Sequence, residues 1–228
     1  MIAAYQIDRA SAGWATLAGL LGATAAATYV VVVVAGGWAT PGYNHIAHAI
    51  SELTAADAPH RGPLGLTFVI YDLLLIAFAI VLPAAFGGRR GIVFGSALLA
   101  VVGLAGLGMS TVLPTDRPGD AITTIGWAHI GLAAAASLGS MAAILAFALA
   151  LRQRPKWRAF AIFSFFSLAA IFLSGLWAAA TAVQLSPITG LAERVTIGIF
   201  ILWLLAFSLR LIGPTAAELE ATAERASG

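Results

Sequence analysis

The sequence contains no cysteine, and only 10% of its 228 residues are charged. The first absence excludes disulfides, thiolate metal sites and cysteine nucleophiles, and leaves the redox compartment open. The second is more informative. Soluble domains carry about 25% charged residues. A chain with 61% hydrophobic and 10% charged residues has too little polar surface to dissolve in water and reads as an integral membrane protein. No basic run is interleaved with aromatics, so nucleic acid is not an expected partner. No lysine lies within an apolar run, Lys156 being in a connecting loop, which excludes a retinal Schiff base. The metalloprotease signature His-Glu-x-x-His is also missing.

What the sequence does have is long apolar runs. Residues 1–13 form a short polar head with Asp8 and Arg9, followed by Trp14 to Ala35, enough for about 30 Å of hydrocarbon. This run exceeds the usual 7–15 residues (roughly) of a signal peptide and has a thin basic flank, so it reads as a retained helix. The spacing predicts an all-α, polytopic bundle of six transmembrane helices in a single domain, at about 14–35, 64–86, 92–113, 125–151, 159–183 and 193–212. Gly36-Gly37 is expected to break the first helix, and the glycines of the third, Gly95, Gly103, Gly106 and Gly108, to place it centrally. A tail, 213–228, follows Gly213-Pro214 and is acidic and rich in alanine.

Basic residues set the orientation. With the N-terminus inside, Arg9, Arg89, Arg90, Arg152, Arg154, Lys156, Arg158, Arg210 and Arg225 lie on the cytoplasmic side, and Arg61, Arg117 and Arg194 on the other. The expectation is a multi-pass protein of the cell inner (plasma) membrane with N- and C-termini cytoplasmic. Trp14, Trp38, Trp127 and Trp157 fall at predicted helix ends, where interfacial aromatics belong.

The first extracytoplasmic loop holds the main polar interruption, Asn44 to Leu53. At 100° per residue His45, His48 and Glu52 share one arc, and Ile46, Ile50 and Leu53 lie roughly opposite. This predicts a short amphipathic helix at about 44–54, a lid with its apolar side on the bilayer. Asp72, inside the second helix, needs a partner, a proton or a water-filled cavity. Ser174, Thr181 and Gln184 are candidate neighbours, and Arg194 is the candidate counter-ion for Glu52 and Asp116.

The run His-Ala-Ile-Ser-Glu-Leu-Thr-Ala at 48–55, then Pro59, Leu-Pro-Thr-Asp at 113–116, His129 and Gly-Leu-Ala-Glu-Arg at 190–194 resemble the six-helix prokaryotic membrane family labelled domain of unknown function 998. More remotely the chain is similar to DRAM-like six-helix proteins. The resemblance implies the fold and topology, and marks His48, Ser51, Glu52, Asp116, His129, Glu193 and Arg194 as motif positions; it implies no reaction.

The expected site is an extracytoplasmic pocket formed by His48, Ser51, Glu52, Asp72, Asp116, His129, Glu193 and Arg194. The leading reading is a non-catalytic role in binding lipid or a membrane partner, or in assembly. Membrane lipids, other membrane proteins and a second copy of the chain are the expected partners. A metal-dependent hydrolase acting at the outer leaflet is the first alternative, with His45, His48, Glu52 and His129 as candidate ligands. A proton- or cation-coupled transporter using Asp72 is the second. Gly108-Met109-Ser110 has the look of an intramembrane serine protease, and His48 with Ser51 that of a dyad, but neither has a complete set of partners. Haem would need paired histidines on facing helices, and no cofactor is identified.

Overall fold

The computed structural model describes residues 2–116 and 119–213, with side chains from residue 11 onward. Arg117, Arg225, the side chain of Arg9 and the tail from 214 lie outside the described residues. Six α-helices carry the chain: α1 (Ile2–Ala39), α2 (Arg61–Ala85), α3 (Arg90–Thr111), α4 (Thr124–Leu151), α5 (Arg158–Val183) and α6 (Thr189–Ile212). Short 3-10 helices span Ile50–Thr54 and Pro155–Trp157. There is no strand among the described residues. All six helices, α1 counted from Ser11, are long and apolar enough to cross a bilayer. The chain is a multi-pass integral membrane protein.

Backbone groups in hydrocarbon must be satisfied within the protein, which is why the apolar runs become helices. Each helix packs against its sequence neighbours, and α6 returns to α1, so the six close into a ring. Large apolar side chains such as Ile80, Phe94, Phe166, Leu173 and Leu202 point outward, where lipid tails would cover them. Small residues let the ring tighten. Gly19 lies against Ile212 and the Ser208 carbonyl, and Gly95 against the ring of Phe147. The glycines of α3 do not make it central. It packs against α2 and α4, and Gly103 and Gly106 bring it close to Asp72.

One end of the ring is filled. Phe78, Phe147, Trp203 and Phe207 are fully buried there, with Phe86, Trp157 and Phe160 packed against them at ring separations of 4.8–6.4 Å. Trp203 donates its indole N–H to Ser164 Oγ at 2.9 Å. Arg154 lies over the Phe86 ring and Arg210 over Trp157, each at 5.4 Å, closing this end with cations on aromatic faces. Trp157 is thus part of the packed end, whereas Trp38 and Trp127 remain exposed near helix ends and Trp14, also exposed, lies inside α1, which starts at Ile2 and not at residue 14.

Three expectations need correction. Gly36-Gly37 does not end α1, which continues to Ala39, because the missing side chains admit neighbours: Leu64 beside Gly36 and the His45 imidazole beside Gly37. Helix α6 begins at Thr189, not 193, so Glu193 and Arg194 sit one turn inside it. Residues 44–54 are not one amphipathic helix. Ala49 is extended (φ −63°, ψ 153°) and divides a turn at 45–47 from the 3-10 helix. Ile50 and Leu53 are buried against the protein, and Ile46 is exposed.

Candidate functional site

Residues 40–60 form a lid over the other, less filled end. Asn44 starts it with an Asx turn, its Oδ1 accepting from the amides of Ile46 at 2.8 Å and Ala47 at 3.3 Å. The Asn44 amide in turn donates to His48 Nδ1 at 3.1 Å, which puts the ring proton of a neutral His48 on Nε2. Glu52 accepts from the Ala49 amide at 2.7 Å and so caps its own 3-10 helix.

The lid is fastened to α6. The amides of Gly190 and Leu191, in the first turn of the helix, donate to the carbonyls of Ala47 and Ile46 at 3.3 and 2.9 Å. Gly190 is needed here, since a Cβ would strike the His48 carbonyl. Arg194 Nη1 donates to that carbonyl at 2.8 Å and to Gly190 O at 2.9 Å, while Nη2 donates to Tyr43 Oη at 2.5 Å. Tyr43 passes its own proton to the Ala49 carbonyl at 2.8 Å. Glu193 Oε2 accepts from the Ile50 amide at 2.7 Å. Burial pushes the Tyr43 phenol up to about 12, against the pull of Arg194. Burial, with the Arg194 charge adding to it, holds the His45 imidazole below its usual value.

Beneath the lid is a cavity of about 490 Å³ to which all six helices contribute. Ser51 and Thr54 look into it from the lid, and Tyr29, Phe68 and Tyr71 form an aromatic wall with ring separations of 5.8 and 4.8 Å. Asp72 is only 3% exposed and lies about three turns into α2. Its Oδ2 accepts from Ser110 Oγ at 3.2 Å, and its Oδ1 lies against Gly106, where a Cβ would collide with it. His129 lines the cavity from α4, donating Nδ1–H to the Leu113 carbonyl at 2.6 Å. Because a carbonyl only accepts, Nε2 of the neutral ring is left as an acceptor. Glu193 completes the polar lining from α6. Ile130 and Ser137 of α4 and Ala179 and Ala182 of α5 line the cavity and keep exposed surface.

The eight predicted pocket residues therefore divide. Ser51, Asp72, His129 and Glu193 share the cavity, while His48 and Glu52 line a separate surface hollow within the lid. This also parts Ser51 from His48. Asp116 accepts from the Thr123 amide and hydroxyl at 2.8 and 2.9 Å, fixing the start of α4. Arg194 bonds to neutral oxygens, not to Glu52 or Asp116, because the lid carbonyls reach it first. Ser174 and Thr181 bond back to Ala170 and Ala178 of their own helix and do not reach Asp72. No three His, Asp or Glu side chains among the described residues gather in a way that could hold a metal ion; His45, His48, Glu52 and His129 do not form a ligand set. Tyr29, Tyr43 and Tyr71 were not singled out by the sequence reading. The available signal was three phenols in or beside apolar runs that demand a polar partner or a cavity.

No curated protein and no solved structure matches the chain. Residues 23–210, from the first turns of the α1 span to the end of α6, match a family described as "Protein of unknown function (DUF998)". The matched span takes in the lid, the cavity and every helix, and the chain belongs to this family.

Proposed function

We propose that this protein is a non-catalytic receptor for an amphiphile of the membrane, a lipid or lipid-like molecule, which enters the cavity sideways between α4 and α5 and is covered by the lid. The observation that carries this reading is the cavity itself. Its volume of about 490 Å³ falls within the range of about 300–1,000 Å³ typical of small-molecule sites, and the exposed lining residues of α4 and α5 support an entrance between these two helices. The nine-to-three basic asymmetry of the sequence supports an orientation with the lid on the extracytoplasmic side of the plasma membrane and both termini in the cytoplasm. Partner proteins or a second copy could meet the exposed apolar flanks without entering the cavity.

Transport receives less support. A substrate leaving at the far end would have to pass Trp203, Phe207 and Phe147, all fully buried, and no carboxylate or histidine among the described side chains lies there. Hydrolysis receives less support for a different reason. Ser110 is already bonded to Asp72, and the candidate metal ligands are dispersed.

The test is lipid analysis by mass spectrometry of the protein purified in a mild detergent, comparing wild type with Ala179→Trp, which plugs the opening. Stoichiometric retention of one molecular class by wild type and its loss from a stably folded Ala179→Trp is expected. Equal lipid content in both would sink the cavity as the binding site. Stoichiometric zinc lost in a His129→Ala variant would replace this reading by a metal-dependent one.

A further inference from the structure

The cavity's chemistry is one-sided. Among its lining residues there is no lysine and no arginine, yet two carboxylates face it from different walls, Asp72 on α2 and Glu193 on α6. Each carboxylate spends one oxygen on the protein, Asp72 Oδ2 on Ser110 and Glu193 Oε2 on the Ile50 amide. Among the described residues, no hydrogen bond reaches the second oxygen of either. His129, 8% exposed, is oriented by its Nδ1–H bond so that Nε2 of the neutral ring is an acceptor. Three buried groups thus offer acceptors, with no lysine or arginine in the cavity lining itself. Arg194, the nearest guanidinium in sequence, is turned to the lid carbonyls and does not line the cavity.

A metal ion is not the natural complement, since these side chains do not converge closely enough to hold one. A larger cation with several donors is. Beside Asp72 stands the aromatic wall of Tyr29, Phe68 and Tyr71, and π faces attract organic ammonium groups. Much of the remaining lining, with Leu75, Met109 and Ile171, is apolar and suits a hydrocarbon body. An isolated ion in the bilayer interior is expensive, so a carboxylate here gains from a ligand that brings the opposite charge.

We infer that the cavity selects an amphiphilic amine: a protonated primary or secondary ammonium held by Asp72 beside the aromatic wall, with Glu193 and His129 adding to the acceptor character of the lining, carried on an apolar chain lying toward α4 and α5. This rests on the receptor reading above and adds the charge and donor character of the ligand. A fatty acid is rejected by the two carboxylates, and a zwitterionic phospholipid has no cation here for its phosphate.

The experiment measures binding of tritiated dodecylamine to immobilised full-length protein in dodecyl maltoside, with tritiated dodecanol and dodecanoic acid as partners of equal chain length. Dodecylamine should bind at least about ten-fold tighter than dodecanol, a difference of about 1.4 kcal/mol, and dodecanoic acid weaker than either. Asp72→Asn and Glu193→Gln each keep an acceptor for Ser110 or Ile50 and should fold; each should weaken dodecylamine about ten-fold while leaving dodecanol unchanged. Gly106→Ala, which displaces the Asp72 carboxylate without removing it, should lower amine binding in the same sense. Equal binding of amine and alcohol, or parallel loss of both in Asp72→Asn, overturns the amine selectivity while leaving an amphiphile site in place. Failure of all three probes to bind overturns the receptor reading as well.

Discussion

The two ends of the helix ring are built on opposite plans. At the end where α2, α4 and α6 finish, aromatic rings from four connected segments fill the interior and the polar groups are few, Trp203 and Ser208 being hydrogen-bonded and Ser96 Oγ buried without a partner among the described residues. At the lid end the same helices diverge around a cavity, and its polar groups are partnered by a loop or only half partnered. Helix–helix association in lipid has no hydrophobic drive of its own and depends on packing. The filled end can therefore hold the ring closed, which leaves the lid end free to stay hollow. The sharpest way to break this comparison is Trp203→Ala. Trp203 is fully buried, touches four aromatic rings and donates to Ser164, so its truncation should cost about 3–5 kcal/mol in an unfolding titration of the detergent-solubilised protein. Ile130→Ala, at the exposed cavity mouth, should lie within about 0.5 kcal/mol of wild type. Similar losses for the two would mean that the ends share the work of holding the ring.

The lid is the next place to press. Arg194→Ala removes the donor from two carbonyls and a phenol, and should cost about 1–3 kcal/mol, while Arg61→Ala, whose guanidinium makes a long 3.4 Å bond to the Ala56 carbonyl, should be near neutral. Adding Glu52→Gln to Arg194→Ala should recover nothing, because Glu52 answers to the Ala49 amide. Recovery in the double variant would restore a direct Glu52–Arg194 pair. A smaller effect is expected at the neighbouring entry to α4. Thr123 accepts from the Gly126 amide at 3.0 Å, and Thr123→Ala should cost about 1 kcal/mol, read as a shift in the same titration.

The smallest effect is that of pH. The imidazole of His45 is held below its ordinary value in the docked lid, so the released lid binds more protons whenever the pH lies between the two values. Docking should be firmest above the free value of about 6.5 and weaken as the pH falls through the window below it. Protease cleavage within 40–60 should quicken across that window in wild type and hold level in His45→Gln. An identical acid response in both would assign the change to another group.

Much of this arrangement is legible in the sequence, for physical reasons that vary by region. The apolar runs announce the six spans because hydrocarbon thickness dictates their length. Asp72 announces a cavity because a carboxylate that deep requires one. The lid is different. His45, His48 and Glu52 fall at helical spacing, but Ala49 is extended and Glu52 turns back to its amide, so the apparent face never forms. The attachments of the lid join residues about 140–150 positions apart, such as Ile50 with Glu193 and Tyr43 with Arg194, and no local pattern records them. The same distance effect hid the true start of α6 and sent Arg194 to carbonyls instead of carboxylates.

The residue before α6, Ile188, offers no side chain to the helix start, and the amides of Gly190 and Leu191 would be bare without Ala47 and Ile46. The loop from the far side of the sequence is thus the helix's missing N-terminal cap. Lifting it would strip two amides at the membrane boundary, unwinding the turn that carries Glu193 and Arg194 along with it. Access to the cavity from above and the integrity of that turn are one equilibrium, so a molecule that keeps Glu193 engaged from below would also keep the entrance shut above itself.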